Sequence, residues 1–388
     1  MLNTRALYGR DDATGRHWRV KATIRPRANW LWGLSGAVFG LALVLGWVGR
    51  AAGLLDETAL RVAAPVAPPA PAVEAEDPWR PIPDKPVNGW LMASRSDPTP
   101  FFDVRTCLAQ PGEIMDMPPG VDDIPAIDSP QYIPGDDVSW LGPMDEVIGV
   151  SSGGEAHCLP VSVLIWHHLV NDTVNRLSVG ILYDPISGAA LGFSRKGNEE
   201  SISFGISGKA WRGAALIYDR TERRLWHPIT GLCVNGSGAE RGARLYPFPV
   251  TRTTWAHWRR MHRKTMVLSR NTGLGRPYGT DPYASLAEDE TLVPVADEAA
   301  LRGIPPKTII LGVRAGDAAA AFVPPAGRDP RRFRAELGNL RFQVTWDPRP
   351  GTREFSANVP STGSSTQFTC YWYAWVAAYP DTQVFRVQ

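Results

Sequence analysis

A gapless internal repeat is the feature that most constrains how this chain can fold. The pair Gly149-Val150 recurs as Gly312-Val313, a separation of 163 residues. At the same separation Gly153 matches Gly316, Ala156 matches Ala319, Tyr183 matches Trp346, Asp184-Pro185 matches Asp347-Pro348, and Gly188 matches Gly351. Similarity at a fixed spacing indicates a structural unit that is used more than once. We therefore predict two copies of a strand–turn–strand unit, at about residues 146–196 and 309–359, each ending in an Asp-Pro-x-x-Gly turn.

Short apolar segments separated by turn-forming residues fill these copies and the chain around them. They lie at 146–150, 178–183, 201–206, 214–218, 308–313 and 341–346, and the pattern is typical of strands. Helices are predicted only at 161–170 and at 254–263, where Thr254 is a candidate N-cap. The predicted fold class is α+β, predominantly β: an internally duplicated external domain at 89–388, with few short helices, preceded by one transmembrane helix.

The predicted transmembrane helix occupies residues 29–49. From Trp30 to Val48 the sequence carries no charged residue, and a helix of this length spans about 28 Å, enough to cross the apolar core of a bilayer. A cleaved signal peptide is the alternative, because small residues follow the apolar run. Gly36 and Gly40 form a GxxxG pair, which predicts a surface for a second membrane helix.

Charge and composition on either side of this run predict its orientation. Seven Arg and Lys residues lie in the basic arm at 1–28, whereas only two follow the run within a similar distance. Such asymmetry places the N-terminus in the cytoplasm and the large domain outside the cytoplasmic (inner) membrane, in the periplasm or outside the cell. Residues 50–88, rich in Pro and Ala, are expected to form a semi-rigid stalk. The net charge of +2 gives no argument for a nucleic-acid partner.

Residues 166–188 contain the densest group of potential ligand and proton-transfer side chains. On a helix, His168 and Asp172 would share a face, as two metal ligands or as an imidazole oriented by a carboxylate to act as a general base. His167 would diverge from His168 by about 100° there. The candidate metal ligands are thus His167, His168 and Asp172, for a divalent ion, and Asp184 is a further catalytic candidate. The alternative is structural, with hydrogen-bonded imidazoles in a half-buried helix end.

The second copy offers no equivalent of this histidine segment. At a spacing of 163 residues, His167, His168 and Asp172 are matched by Pro330, Arg331 and Ala335. Any chemistry is therefore expected in the first copy alone.

A second group of polar residues lies around residue 220. Asp219 and Arg220, with Trp226 and His227 close behind, could bind a polar ligand through the guanidinium. The alternative is a turn in which Asp219 binds local backbone groups. Ser207 is a weaker candidate, because it lacks the GxSxG context of a nucleophile.

The cysteines leave two alternatives open. Cys107, Cys158, Cys233 and Cys370 permit two disulfides outside the cytoplasm. None has a close partner in the sequence, so four buried free thiols are an equal expectation.

Several stretches resemble a family of proteins of unknown function, DUF3179. They include VDDIPAIDSPQYI, DEVIGVSSGGEAHCLPVSVLIWHHLVNDTV, LSRNTGLGRPYGTDPY and WYAWVAAYPDT, and the resemblance covers about residues 121–382. It implies no established activity. Relatives usually carry Trp-His-Glu where this chain has Trp166-His167-His168, and Cys-x-x-Cys where it has Asp184 and Ser187. The resemblance therefore implies that any thiol chemistry of the relatives is absent here, although Asp184 could still bind a hard metal or accept a proton.

Two functional hypotheses follow from the sequence. The favoured one is a membrane-anchored extracytoplasmic binding or accessory subunit, part of a larger membrane assembly. The alternative is a metal-dependent, hydrolytic enzyme that uses the cluster of His167, His168 and Asp172.

Overall fold

The computed structural model describes residues 82–388 and two short strands of the N-terminal arm. Within that range positions 111, 118–119, 198–199, 289–300, 326, 361–364 and 387–388 are not described. The predicted transmembrane helix at 29–49 and most of the predicted stalk at 50–88 lie outside the described residues. Among the residues that are described, no helix is both long and apolar enough to cross a membrane.

The described chain is mostly β-structure with few short helices, as predicted. Its first strands are β1 (Tyr8–Arg10), β2 (His17–Arg19), β3 (Ile82–Pro83), β4 (Trp90–Met92), β5 (Pro100–Asp103), β6 (Met115–Asp116) and β7 (Tyr132–Pro134). The first repeat opens with β8 (Glu146–Ser152), β9 (Glu155–Pro160), α1 (Val161–Leu164), β10 (Leu169–Val174), β11 (Leu177–Asp184) and β12 (Ala189–Ser194). An insertion follows with β13 (Phe204–Trp211), β14 (Ala214–Asp219), β15 (Leu225–Trp226), α2 (Gly236–Glu240) and β16 (Pro247–Phe248).

The first repeat then ends, and the second follows. The remaining elements are β17 (Thr251–Thr254), α3 (Trp255–Met261), β18 (Met266–Leu268), α4 (Ala284–Glu288), β19 (Ile309–Ala315), β20 (Ala318–Val323), β21 (Arg331–Leu337), β22 (Leu340–Asp347), β23 (Glu354–Ala357), β24 (Ser365–Tyr371), α5 (Trp372–Ala378) and β25 (Gln383–Arg386).

The strands of the two repeats have the same order and the same pairing within each repeat, although α1 of the first repeat has no counterpart among the described residues of the second. At a spacing of 163 residues, β8 to β12 correspond to β19 to β23. At a spacing of 117 residues, β17, α3 and β18 correspond to β24, α5 and β25, because the insertion occurs only in the first repeat. In both repeats the hairpin strands pair antiparallel, and the last strand of the repeat joins the sheet in parallel. The similarity therefore extends to regions where the two sequences no longer match.

A glycine and a tryptophan form the same contact in each repeat. A Cβ atom on Gly149 would lie 2.2 Å from the ring of Trp258, and one on Gly312 would lie 2.1 Å from the ring of Trp375. Each indole donates a hydrogen bond of 2.9 Å to a threonine seven residues later. The repeated glycine is therefore required by close packing of a helix on a sheet.

Strands of both repeats contribute to one sheet. The meander β10–β11–β12 meets β24 of the second repeat through Ala190 and Thr369, which gives the order β10-β11-β12-β24-β19-β20-β25, and β16 also pairs with β12. The first repeat also contacts the turn between β22 and β23 of the second repeat, since the Thr253 hydroxyl on β17 donates a hydrogen bond to the backbone carbonyl of Thr352. Further sheets have the orders β17-β8-β9-β18-β7, β15-β14-β13-β6-β3 and β21-β22-β23.

The structure corrects one predicted element at the site. Helix α1 ends at Leu164, and the chain returns as strand β10 from Leu169, so the prediction of a helix over 161–170 is wrong. His168 lies between them with φ +59, in the left-handed region. His168 and Asp172 therefore do not share a helix face. The second helix prediction is confirmed as α3, and Thr254 caps it by accepting a hydrogen bond from the backbone of His257.

Candidate functional site

The site is formed where one loop crosses the histidine segment. The loop comprises residues 269–283, which we call the strap. Trp166 donates through Nε1 to the carbonyl of Thr280 at 3.0 Å, and Tyr278 lies 2.7 Å from Nε2 of His167. The ring of Tyr283 packs against His168 with centroids 5.3 Å apart. The strap is thus held at three successive residues of the segment that follows α1.

The protonation of His167 follows from its two partners. Nδ1 lies 2.8 Å from the carbonyl oxygen of Pro125, which can only accept, so Nδ1 carries the hydrogen. Nε2 of the neutral ring then accepts from the Tyr278 hydroxyl, whose oxygen lies 2.5 Å from Oγ1 of Thr272. Burial lowers the pKa of His167, and the nearby charge of Arg276 lowers it further. His167 is therefore a neutral imidazole in a fixed tautomer.

His168 is buried in a different way. Only 3% of the residue is exposed, and its Nε2 is buried without a hydrogen-bond partner. Burial, assisted by the neighbouring His167, lowers its pKa to about 3. The His168 ring is therefore neutral at neutral pH, and its Nε2 makes no hydrogen bond.

Asp172 belongs to a separate cluster, which also contains Tyr132, His157 and Glu155. Its Oδ2 accepts from the Tyr132 hydroxyl at 2.5 Å and lies 2.8 Å from Nδ1 of His157. The other ring nitrogen of His157 lies 2.9 Å from a carboxylate oxygen of Glu155. Burial lowers the pKa of His157, but Asp172 and Glu155 more than offset this, and the pKa is raised overall. His157 is buried together with its neighbours in β9, where all residues from Ala156 to Pro160 are buried, so no alternating pattern marked it as inward-facing.

Asp184 fastens the turn after β11. Both its oxygens accept hydrogen bonds, from the backbone of Ile186, Ser187 and Ala215 and from the Ser187 hydroxyl at 2.5 Å. Burial raises the pKa of this carboxyl, since the side chain has no exposed surface. A side-chain hydrogen bond thus joins the two positions where relatives are expected to carry cysteines.

The second predicted cluster is a structural turn, which was the alternative considered for it. Asp219 accepts from Arg224 Nε at 2.8 Å, from Trp226 Nε1 at 2.9 Å and from the backbone of Glu222. Arg220 is the partly exposed member, and it forms ion pairs with Asp122 and with Asp128.

His227 and Ser207 are also occupied by local partners. His227 binds the carbonyl of Trp211 through Nε2 and accepts from the backbone of Thr230, and burial lowers its pKa to about 4. Ser207 is buried and donates to the carbonyl of Leu216 at 2.6 Å. Both side chains are therefore engaged in hydrogen bonds within the fold.

The structure does not bring the three predicted metal ligands together. His167 is hydrogen-bonded through both nitrogens, Asp172 is engaged by Tyr132 and His157, and His168 packs against Tyr283. Within the described ranges, no group of three or more His, Cys, Asp or Glu residues is arranged to hold a metal ion. All four cysteines are free thiols, and three of them are buried.

Comparison with known proteins identifies the family. The model of the family described as Protein of unknown function (DUF3179) matches residues 121–369, which include the first repeat, the histidine segment, the strap and the second repeat as far as β24. No curated protein and no solved structure matches. Because the match spans more than half of the chain, this protein belongs to the DUF3179 family.

Proposed function

We propose that this protein is a membrane-anchored extracytoplasmic binding or accessory subunit of a larger membrane assembly. Its large domain is a duplicated unit, a transmembrane helix at 29–49 precedes it, and the strap is its binding surface. The charge-free run at 30–48 and the Pro/Ala-rich segment at 50–88 support the anchor and the stalk. The same order and pairing of strands in both repeats supports the duplication.

The single observation that carries the binding proposal is the way in which the strap is held. Its C-terminal part is fixed through Tyr278, Thr280 and Tyr283, and its first residue, Ser269, donates its backbone N–H to the carbonyl of Gln131, whereas its tip at 273–275 is exposed to solvent. Binding residues are commonly found on loops that a rigid scaffold positions in this manner. A loop whose base is fixed loses less conformational freedom when a partner binds.

The exposed side chains of the strap indicate the chemistry of its partner. Arg270 is exposed and its guanidinium lies 4.1 Å from the ring centroid of Trp140, and Leu274 retains 40% of its surface. Arg276 adds a second positive charge beside the tip, and it donates to the carbonyl of Asp123. A guanidinium, an aromatic ring and an exposed apolar side chain together favour a protein surface that presents acidic and apolar groups.

The test is co-purification of the full chain from its native membrane in mild detergent. A partner in stoichiometric amount is expected with the wild type and is expected to be lost with Leu274→Asp. Leu177→Asp is the matched control, because Leu177 is similarly exposed and lies outside the strap. A lone monomer, or a partner that both variants retain, would contradict the proposal.

A second candidate function, a metal-dependent hydrolase, has one observation in its favour. The buried Nε2 of His168 has no hydrogen-bond partner, and buried polar atoms without a partner call for an explanation such as a bound ion. Elemental analysis of the full chain tests this candidate. A stoichiometric transition metal that His168→Ala removes would favour the hydrolase, and a metal-free wild type would exclude it.

A further inference from the structure

A buried lysine lies between two carboxylates in the sheet that contains the insertion. Only 1% of the Lys209 side chain is exposed, and its Nζ lies 2.8 Å from Oδ1 of Asp116 and 2.8 Å from Oδ2 of Asp84. The two aspartate side chains are themselves only 7% and 13% exposed. Lys209 has no role in the site formed by the strap.

The contact results from three adjacent strands. Lys209 on β13 lies directly opposite Asp116 on β6, and Asp116 lies opposite Ile82 on β3. Asp84 follows β3 immediately and therefore comes close to the same point. Apolar residues surround the group, since all of β13 is buried and Asp84 borders a cleft with Leu91, Val104 and Ile114.

The two carboxylates contact the ammonium differently. Nζ donates a hydrogen bond to Asp116, whereas its contact with the buried Oδ2 of Asp84 is an ion pair of 2.8 Å without hydrogen-bond geometry. Arg95 lies 3.6 Å from the second oxygen of Asp116 and supports its negative charge. Asp116 is thus placed to exchange a proton with Nζ, and Asp84 is placed to be attacked by it.

Replacing the Lys209 ammonium and one buried carboxylate by a neutral group would lower the free energy of this cluster. Taking an ammonium and a carboxylate out of water is unfavourable for both ions. An amide between them is neutral, and its formation releases water from an apolar environment. Fixing the two groups in contact raises their effective concentration to roughly 10⁵–10⁸ M for well-oriented intramolecular reactions.

We propose that Lys209 and Asp84 condense to form an intramolecular amide bond, with Asp116 as the proton carrier. Asp116 takes a proton from the ammonium and passes it to a carboxylate oxygen of Asp84. The neutral amine attacks Cγ of Asp84, and a new C–N bond forms. Asp116 then transfers a second proton from the attacking nitrogen to the leaving oxygen, and one water molecule departs as the C–O bond breaks. The ammonium and the carboxylate together yield one amide and one water, and Asp116 ends as a carboxylate paired with Arg95.

The bond would join the first strand of the described domain to its interior. Asp84 directly follows β3, so a pull from the N-terminal side would load β3 first and this bond next. A covalent link from Asp84 to Lys209 would then carry the force to β13 and prevent the chain from peeling away beyond β3.

Intact mass of the denatured full chain tests the proposal. The wild type is expected to weigh less than its sequence by one water molecule, and digestion should yield a branched peptide containing residues 84 and 209. Lys209→Arg should restore the full mass, because a guanidinium does not attack. Lys196→Arg, at an exposed lysine outside the cluster, should keep the deficit. A wild type with the full mass of its sequence, or a water loss that maps elsewhere, would overturn the bond.

Two further variants assign the roles of the two aspartates. Asp84→Asn should still react, and its mass should fall below its own sequence by one ammonia instead of one water, since the carboxamide then loses its nitrogen. Asp116→Ala should retain the full mass, because no group remains to carry the proton. A deficit of one water instead of one ammonia in Asp84→Asn would overturn the assignment of Asp84, because another carboxylate would then be the attacked residue.

Discussion

His167 connects three parts of the chain through one neutral ring. Its two nitrogens bind the carbonyl of Pro125 and the hydroxyl of Tyr278, so the ring links the segment before β7 to the strap. Because His167 has no exposed surface, water cannot replace either partner. The ring is therefore expected to stabilise the position of the strap.

Removal of one hydroxyl tests this role. Tyr278→Phe leaves the buried Nε2 of His167 without a donor, and an unsatisfied buried group costs about 1–3 kcal/mol. Urea denaturation should show a loss of this size in the free energy of unfolding. Tyr246→Phe is the matched control, since Tyr246 is 67% exposed and should change stability by less than about 0.5 kcal/mol. Equal effects of the two variants would contradict the proposed role of the hydrogen bond.

His227 should make the protein sensitive to acid. Its folded-state pKa of about 4 lies below the usual value for histidine of about 6.5, so the unfolded state binds more protons between these values. The free energy of unfolding should therefore fall as the pH is lowered from 7 to 4, by up to about 3 kcal/mol for this residue. Denaturation of the wild type and His227→Gln at several pH values checks the prediction. The variant should lose less stability over this range but keep the part due to His168, and parallel curves would contradict the assignment.

Single residues show how far the sequence could predict the site. His167 and His168 could be selected as candidate site residues from the sequence, because they are adjacent imidazoles close to Asp172. The partner of His167 could not be predicted, since Tyr278 lies far along the chain and only the fold brings the two together. Asp172 on β10 pairs with His157 on β9 for the same reason, because these strands lie in different sheets and only the fold brings them together.

At the scale of the element, each repeat packs one helix on one hairpin through a glycine. The ring of Trp258 covers Gly149 and the ring of Trp375 covers Gly312, so a methyl group at either glycine would overlap an indole. The overlap involves large, fully buried side chains that cannot move aside cheaply.

Equal substitutions should therefore have equal effects in the two repeats. Gly149→Ala and Gly312→Ala should each lower the free energy of unfolding by about 1–3 kcal/mol, the usual cost of overpacking. Chemical denaturation measures both. Gly351→Ala is the control, because a Cβ there meets nothing within 4 Å. A large loss from only one of the two would show that the contacts are not equivalent.

The helix prediction at 161–170 failed for a physical reason. The sequence Val-Ser-Val-Leu-Ile-Trp-His-His-Leu-Val is apolar enough to suit either a helix or a buried strand, and periodicity alone does not separate the two. Pairing of β10 with β11 decides the outcome after Leu164. Predictions of β8, β11, β14, β19 and β22 succeeded because turn residues bound these segments on both sides.

At the scale of the whole molecule, the repeats are interleaved. The sheet from β10 to β25 contains strands of both, and backbone contacts join the turn of each repeat to the other. The sequence repeat predicted two units but did not indicate that their strands share a sheet. Pairing between strands of different repeats leaves no local pattern in the sequence.

A divided chain tests the interleaving. If the chain is split between residues 288 and 301, the two fragments should co-purify as a one-to-one complex when they are expressed together. Expressed alone, neither should unfold cooperatively, since each would expose an unpaired strand edge and an open core. Two fragments that fold independently and do not associate would contradict the prediction.

The pairing of β12 with β24 also means that the sheet shared by the two repeats can form only after β24 has been translated. The ribosome makes β12 before the insertion and before β19 to β23, and it makes β24 only after all of these. Contacts between such distant segments form slowly, and unpaired edges and apolar surface are prone to aggregate in the meantime. We therefore expect a newly made chain to depend on chaperones until its last strands have been translated.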